Sequence, residues 1–182
     1  GDLWGLRYDS TGATAGGSNL IKLGITTSES GGNTNRGGDR QESRADVQTT
    51  EWQNLVMTWE DGGGFNLYID GELDEPTSAM VTTGGTTAMM DRFVLGDGAK
   101  AYWDGYIDEV AVWRSTLTAN DAAWLSKNSI SKLGGGGAPV QAVPGLIAYW
   151  PLDEITGETT PDVVGGYDMS LTNIDDSNVV EG

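Results

Sequence analysis

The chain of 182 residues contains no cysteine and no histidine. The first absence excludes disulfide frameworks, thiolate metal sites and cysteine nucleophiles. The second removes the commonest general base, the usual zinc ligand and any Ser-His-Asp triad. Basic residues are also scarce. Ten Lys and Arg stand against 27 Asp and Glu, a formal net charge of -17. Such a surface repels phosphate backbones and anionic lipid, so neither nucleic-acid binding nor insertion into a membrane is expected. The acidity suits divalent cations, salty media and solubility, and much of it reads as solvated surface. No apolar run approaches the roughly 20 residues that span a bilayer. No signal-peptide pattern opens the chain, and a start at Gly1 points to a processed chain or a fragment of something longer.

What is present is glycine, 28 residues of it, together with seven tryptophans. Aromatic content of that kind argues against plain disorder. The composition describes short elements joined by Gly-rich turns. Period-two segments recur and helical periodicity is nearly absent. Asp2 to Tyr8 and Leu20 to Ile25 read as strands. Residues 29–41 carry no apolar anchor and read as a long loop. Leu55 to Trp59 is a strand, Asp61 to Gly64 a turn, and Phe65 to Ile69 an antiparallel return with Phe65, Leu67 and Ile69 on one face. Asp70-Gly71 is a strong tight-turn signal. Arg92 to Gly96 and Gly105 to Trp113 are further strands. Thr118 is an N-cap with Asp121 at capping-box spacing, which places one short helix near residues 118–126. Leu133 to Val140 has linker composition. Beyond it, Leu146 to Trp150 is a strand, Asp162 to Tyr167 a turn and Met169 to Leu171 another short strand. Many short strands with turn signals predict a β-sandwich or barrel.

Three segments carry a family resemblance. Glu51-Trp-Gln-Asn-Leu-Val-Met-Thr-Trp59, Phe65-Asn-Leu-Tyr-Ile-Asp-Gly71 and Trp103-Asp-Gly-Tyr-Ile-Asp-Glu-Val-Ala-Val-Trp-Arg114 resemble, in order and spacing, strands of laminin-G-like, concanavalin-A-like modules. Leu117-Thr-Ala-Asn-Asp-Ala122 matches the helix that follows them. The resemblance covers about residues 1–133 and implies an all-β antiparallel jelly-roll β-sandwich. Gly145-Leu-Ile-Ala-Tyr-Trp-Pro-Leu-Asp-Glu154 and Asp162-Val-Val-Gly-Gly-Tyr-Asp168 resemble the same family's first strands, which precede the others there and follow them here. Also missing is the strand pair that ends in an S-x-W-V-K-like sequence in the family. The chain is therefore divided into the later two-thirds of one module (1–133), a Gly/Pro linker (134–144) and a third part (145–182). That third part is either the start of a second module or a set of strands completing a sandwich, in the same chain or in a neighbour. A segment of a tandem array is the preferred reading. An incomplete sandwich exposes strand edges, which keeps strand completion open.

The resemblance implies a secreted or cell-surface bacterial protein that binds carbohydrate or matrix and is not an enzyme. Its partners would be a glycan or surface component and neighbouring copies of the module. The alternative is a structural subunit of an extracellular filament or layer, assembled by strand complementation. Glycoside hydrolysis needs two carboxylates flanking the scissile bond. Related glucanases carry E-x-D-x-x-E on a strand, a spacing that no strand here has. Calcium is the cofactor expected. Alternation from Tyr106 to Val112 puts Asp108 on the face of Val110 and Val112, where a carboxylate needs hydrogen bonds or a cation. In related jelly rolls an aspartate at this position holds a structural Ca²⁺, and Asp153 in the matching N-terminal motif could join it, with carbonyls and water completing the shell. Asp108 capping backbone N–H groups of the adjacent turn is the plainer alternative. Tyr102 and Trp103, beside the Gly96 to Lys100 loop, form the expected ligand-binding platform. Trp52, Trp59 and Trp113 read as core, and Trp4 is ambiguous. Arg36, Arg40 and Arg44 form the single cationic cluster, either loop solubility or a contact to an acidic neighbour.

Overall fold

The computed structural model describes residues 4–9, 19–25, 39–44, 46–60, 64–75, 93–98, 101–102, 105–128, 144–174, 177 and 179. The chain divides into two compact units, Gly1–Phe93 with Thr118–Lys127, and Val94–Leu117 with Asn128–Gly182.

The first unit holds two three-stranded antiparallel sheets. In one, β1 (Trp4–Asp9) pairs with β2 (Leu20–Ile25), which pairs with β3 (Asp39–Glu42). The long loop predicted over 29–41 thus ends in strand: Asp39 and Arg40 have few apolar neighbours in sequence but find a ladder on β2. In the other sheet, β4 (Leu55–Glu60), β5 (Gly64–Ile69) and β6 (Glu72–Leu73) form a meander. Alternation along β5 buries Phe65 and Leu67, which pack with Ile21 of β2, while Val47, Leu55, Met57, Trp59 and Ile69 lie against that cluster. The expected face of Phe65, Leu67 and Ile69 is the one observed. Tyr68 on the opposite face is buried too.

Asp70 and Gly71 turn β5 into β6 with φ of 52° and 82°. Left-handed backbone at both positions is what a two-residue hairpin needs, and Asp-Gly supplies it with little strain. The helix α1 (Ala119–Leu125) lies over this turn. A Cβ on Gly71 would come within 2.8 Å of the Ala123 Cα and closer still to the Ser126 hydroxyl. Thr118 caps the helix: its hydroxyl accepts from Asp121 N and the Asp121 carboxylate accepts from Thr118 N, so both halves of the capping box form.

In the second unit β7 (Asp97–Gly98) pairs with β8 (Ala101–Tyr102). The strand expected over Arg92 to Gly96 is not present in the described part of that stretch: Phe93 and Val94 belong to no strand, and Gly96 turns with φ 74°. The central feature is β9 (Val110–Trp113) paired antiparallel with β10 (Leu146–Trp150), with a bulge between Leu146 and Ala148. Arg114 N donates to Gly145 O and the Ser115 hydroxyl to Pro144 O, extending the pairing past the last rung. Ala148, Tyr149 and Trp150 are buried. A smaller pair, β11 (Thr159–Thr160) and β12 (Met169–Ser170), follows. The strand expected from Gly105 is shorter than the sequence suggests. It begins only at Val110 because Glu109 takes φ 53° and breaks the period-two run. Residues 134–143 of the expected linker lie outside the described residues.

Candidate functional site

The open end of the β9–β10 pair collects acidic side chains. Its last rung is Trp150 opposite Val110. Past it both chains turn left-handed, at Glu109 with φ 53° and at Leu152 with φ 65°. Non-glycine residues adopt such angles only where their surroundings hold them, and such positions concentrate at functional sites. Glu109 is held by the Tyr149 hydroxyl, which donates to its Oε1 at 2.9 Å. Burial first, then this bond and the charges of Glu109, Asp153 and Asp108, raise the Tyr149 pKa, so the phenol stays protonated and keeps donating.

Asp108, just before β9, and Asp153, just after β10, lie at the same end of the pair, near enough for the charge of Asp153 to act on Asp108. Desolvation pushes the Asp108 pKa up, and the like charges of Glu109 and Asp153 push it further. A bond from Glu109 N to its Oδ1, 2.9 Å long, opposes them. Asp108 is not on the apolar face with Val110 and Val112. The left-handed turn at Glu109 rotates it outward, and the residue is exposed. Beside it, Asp153 and Glu154 line a depression of about 200 Å³ with Pro151, Leu152, Thr160 and Pro161. The Thr160 hydroxyl is buried and has no hydrogen-bond partner among the described residues.

Oxygen donors alone, two of them carboxylates at one end of a strand pair, are of the kind a calcium ion takes. Among the described residues no three Asp or Glu side chains converge as a metal-binding group. A cation here would therefore draw on Asp108, Asp153 and neutral oxygens. Of the expected aromatic platform, the backbone of Tyr102 lies in β8, while its side chain and the whole of Trp103 fall outside the described residues.

Behind the rim sits a carboxylate the sequence reading did not single out. Asp162 is buried and accepts four backbone N–H donors, from Tyr149 at 2.8 Å, Val164 at 2.9 Å and Gly165 at 3.0 Å on Oδ1, and from Tyr167 at 3.0 Å on Oδ2. Burial alone would raise its pKa. The four donors outweigh burial and lower it. Trp150 Nε1 donates to Tyr167 O, and Asp162 N donates to Asp168 Oδ1, so the whole 162–168 turn is tied to β10. Asp followed at short range by Gly-Gly is the sequence signal for such a turn.

Trp52 corrects the core expectation made for it: it is 64% exposed, because β4 starts three residues later and leaves it on the connecting segment. Trp59 and Trp113 are partly buried. Of the cationic cluster, Arg36 and the Arg40 side chain lie outside the described residues. Arg44 Nε bonds Asp74 Oδ1 at 2.6 Å and Arg44 N donates to Asp74 Oδ2 at 2.9 Å. Asp74 is 1% exposed and 30 positions away, a pairing that no local pattern announces.

The family model described as the concanavalin A-like lectin/glucanases superfamily, Laminin_G_3, matches residues 5–123. The chain belongs to this family. Among the described residues the antiparallel sheets and one short helix are those of a concanavalin A-like jelly roll, as the three motifs implied. The human adhesion G-protein coupled receptor D1 is 27% identical over 133 residues, covering 65% of this chain and 15% of the receptor. The match thus spans a small part of that relative's length. No solved structure matches the chain. Laminin G-like domains are typically extracellular modules for adhesion and binding. Among the described residues no helix is long and apolar enough to cross a membrane.

Proposed function

We propose that this chain is a non-enzymatic carbohydrate- or matrix-binding module of a large secreted or cell-surface protein, acting in adhesion through the rim at the end of β9–β10. The observation that carries the reading is that Asp108, just before β9, and Asp153, just after β10, lie at the same end of one strand pair. The two residues are 45 positions apart in sequence and reach one rim because β10 pairs with β9. Calcium is the cofactor in this reading. It would neutralise the repulsion among Asp108, Glu109 and Asp153 and offer open coordination positions to hydroxyls of a bound glycan. The test is binding of the full chain to glycan and matrix-component arrays with calcium and with chelator. Calcium-dependent capture that Asp108→Asn and Asp153→Asn each abolish is the expected result. Equal capture in chelator would remove the metal from the reading, and no capture on either array would remove the binding role.

A second reading has its own support. β10 belongs to a segment that resembles the family's first strands, and it closes onto β9 across a Gly-rich stretch. The reading is that residues 145–172 complete a sandwich. The same strands exchanged between copies would build a filament or layer. Light scattering over a concentration series tests it: growing assemblies support exchange, and a monomer throughout excludes it.

A further inference from the structure

Among the described residues β10 and β9 form a two-stranded sheet, so each strand has an outer edge. The outer edge of β10 is closed. Tyr149 N donates to Asp162 Oδ1 at 2.8 Å, and Tyr149 O accepts from Val163 N at 3.0 Å. Two residues back, Gly165 lies so near Ile147 O that a Cβ there would strike it. The turn held by Asp162 thus stands where a further strand would pair.

The same bonds fix which way β9 points. Tyr149 stands opposite Ala111. In an antiparallel ladder, residues in opposition either exchange both bonds or turn both outward. Tyr149 turns outward, so Ala111 does too. Arg114 N donates to Gly145 O, towards β10, so the backbone groups of Trp113 point the other way. No described residue takes up the outward groups of Ala111 and Trp113. Proteins commonly protect an edge with proline, lysine or a bulge. β9 reads Val-Ala-Val-Trp and has none of these; the bulge of the pair lies in β10.

Charge order selects what pairs there. Asp108 and Glu109 precede β9, and Arg114, which is exposed, follows it. A second β9 laid antiparallel brings each Arg114 towards the acidic end of the other copy, whereas a parallel one sets like charges together. A net charge of -17 disfavours other contacts between copies. We propose that two copies of this chain join through the outer edges of β9 into a closed dimer with one continuous sheet, its two-fold axis at Val112. In this register each Ala111 exchanges both backbone bonds with Trp113 of the other copy, and the two Val112 side chains face each other in a pair without hydrogen bonds. Moving the axis to Ala111 would place Trp113 opposite Glu109, whose φ of 53° breaks the ladder. The interface uses the same patch on both copies and is self-limiting. It needs no exchange of strands, since each β10 stays on its own β9.

Sedimentation equilibrium of the full chain in chelator, at about 0.15 M salt, tests the dimer. Charges farther apart than about 8 Å are then largely screened, and calcium plays no part. An interface this small belongs to the weak, transient class, so the series runs from about 1 µM to 1 mM. A monomer that passes to a dimer and stops there is expected. Ala111→Pro removes an N–H that β10 does not use, and Arg114→Glu reverses an exposed charge. Each should weaken the dimer about tenfold or more. The chain has no cysteine, so a single introduced thiol can cross-link only to another copy. Val112→Cys should give a covalent dimer on mild oxidation, because opposed residues in such a pair have Cα atoms about 4.5 Å apart. Val110→Cys should not, because its two copies lie about 13 Å apart along the strands. If Ala111→Pro disturbs the fold, Arg114→Glu and the two cysteine variants still decide the question. A monomer throughout, a dimer unaffected by Arg114→Glu, or cross-linking of Val110→Cys as readily as Val112→Cys would each overturn the proposal. Assemblies that grow beyond two copies would also overturn it and would favour strand exchange. Failure of glycan or matrix binding would leave it untouched.

Discussion

Replacing Asp162 by alanine should open the β9–β10 region more than any other single change in the second unit. The carboxylate receives four backbone N–H groups. They are not equivalent. Val164, Gly165 and Tyr167 are exposed, so water can take over much of what they lose. Tyr149 is 2% exposed and lies in the ladder, so its N–H would be left without a partner. A buried donor deprived of its acceptor costs roughly 1–3 kcal/mol, and a net hydrogen bond to a charged group is worth about 1.5–3 kcal/mol. The four share one acceptor and cannot be added, so the expected cost is about 3 kcal/mol. Asp162→Asn keeps an oxygen for Tyr149 but can turn an NH₂ group towards Tyr167 N, and should cost about 1–2 kcal/mol. Hydrogen exchange at the Tyr149 amide reads the effect locally, without requiring two-state unfolding of the whole chain. About 3 kcal/mol is roughly a hundredfold faster exchange for the alanine variant, with the asparagine variant between it and the parent. The sign with pH follows from the lowered pKa. Stabilisation by Asp162 is complete above the unfolded aspartate value of about 3.9 and is lost as pH falls through the lower folded value. Exchange at Tyr149 in the parent should therefore rise below pH 4, and Asp162→Asn should remove that dependence. Less than a threefold change in the alanine variant would refute the reasoning.

Gly71→Ala forces a side chain into a φ of 82° and against the Ala123 Cα and the Ser126 hydroxyl. It should destabilise the first unit by about 2 kcal/mol or more in urea denaturation. Trp52→Ala should change stability by no more than about 0.5 kcal/mol in the same assay, because the indole is mostly in solvent. Asp108→Asn should raise the melting temperature slightly in chelator at neutral pH. A raised carboxylate pKa means ionisation weakens the fold above that value, and asparagine can still accept from Glu109 N. In the parent, calcium at a hundred times its dissociation constant should add about 2.7 kcal/mol, and Asp108→Asn should lose that increment.

The sequence by itself determined the local elements whose causes are local. Alternation at Phe65, Leu67 and Ile69 set one face of β5, and Asp70-Gly71 set the turn that follows. Thr118 and Asp121 set the start of the helix. The three motifs also determined the family. Tertiary structure decided what depends on partners distant in the chain. Glu109 reads as a strand residue until Tyr149, 40 positions away, holds it left-handed and turns Asp108 out to the rim. Trp52 reads as core until β4 begins three residues later and leaves it on the connecting segment. Arg44 reads as one member of a solvated cluster until the buried Asp74, 30 positions away, pairs with it. Period and capping act within a few residues, so a sequence displays them. Burial and charge pairing act through space, and only the folded chain reveals which residues they join.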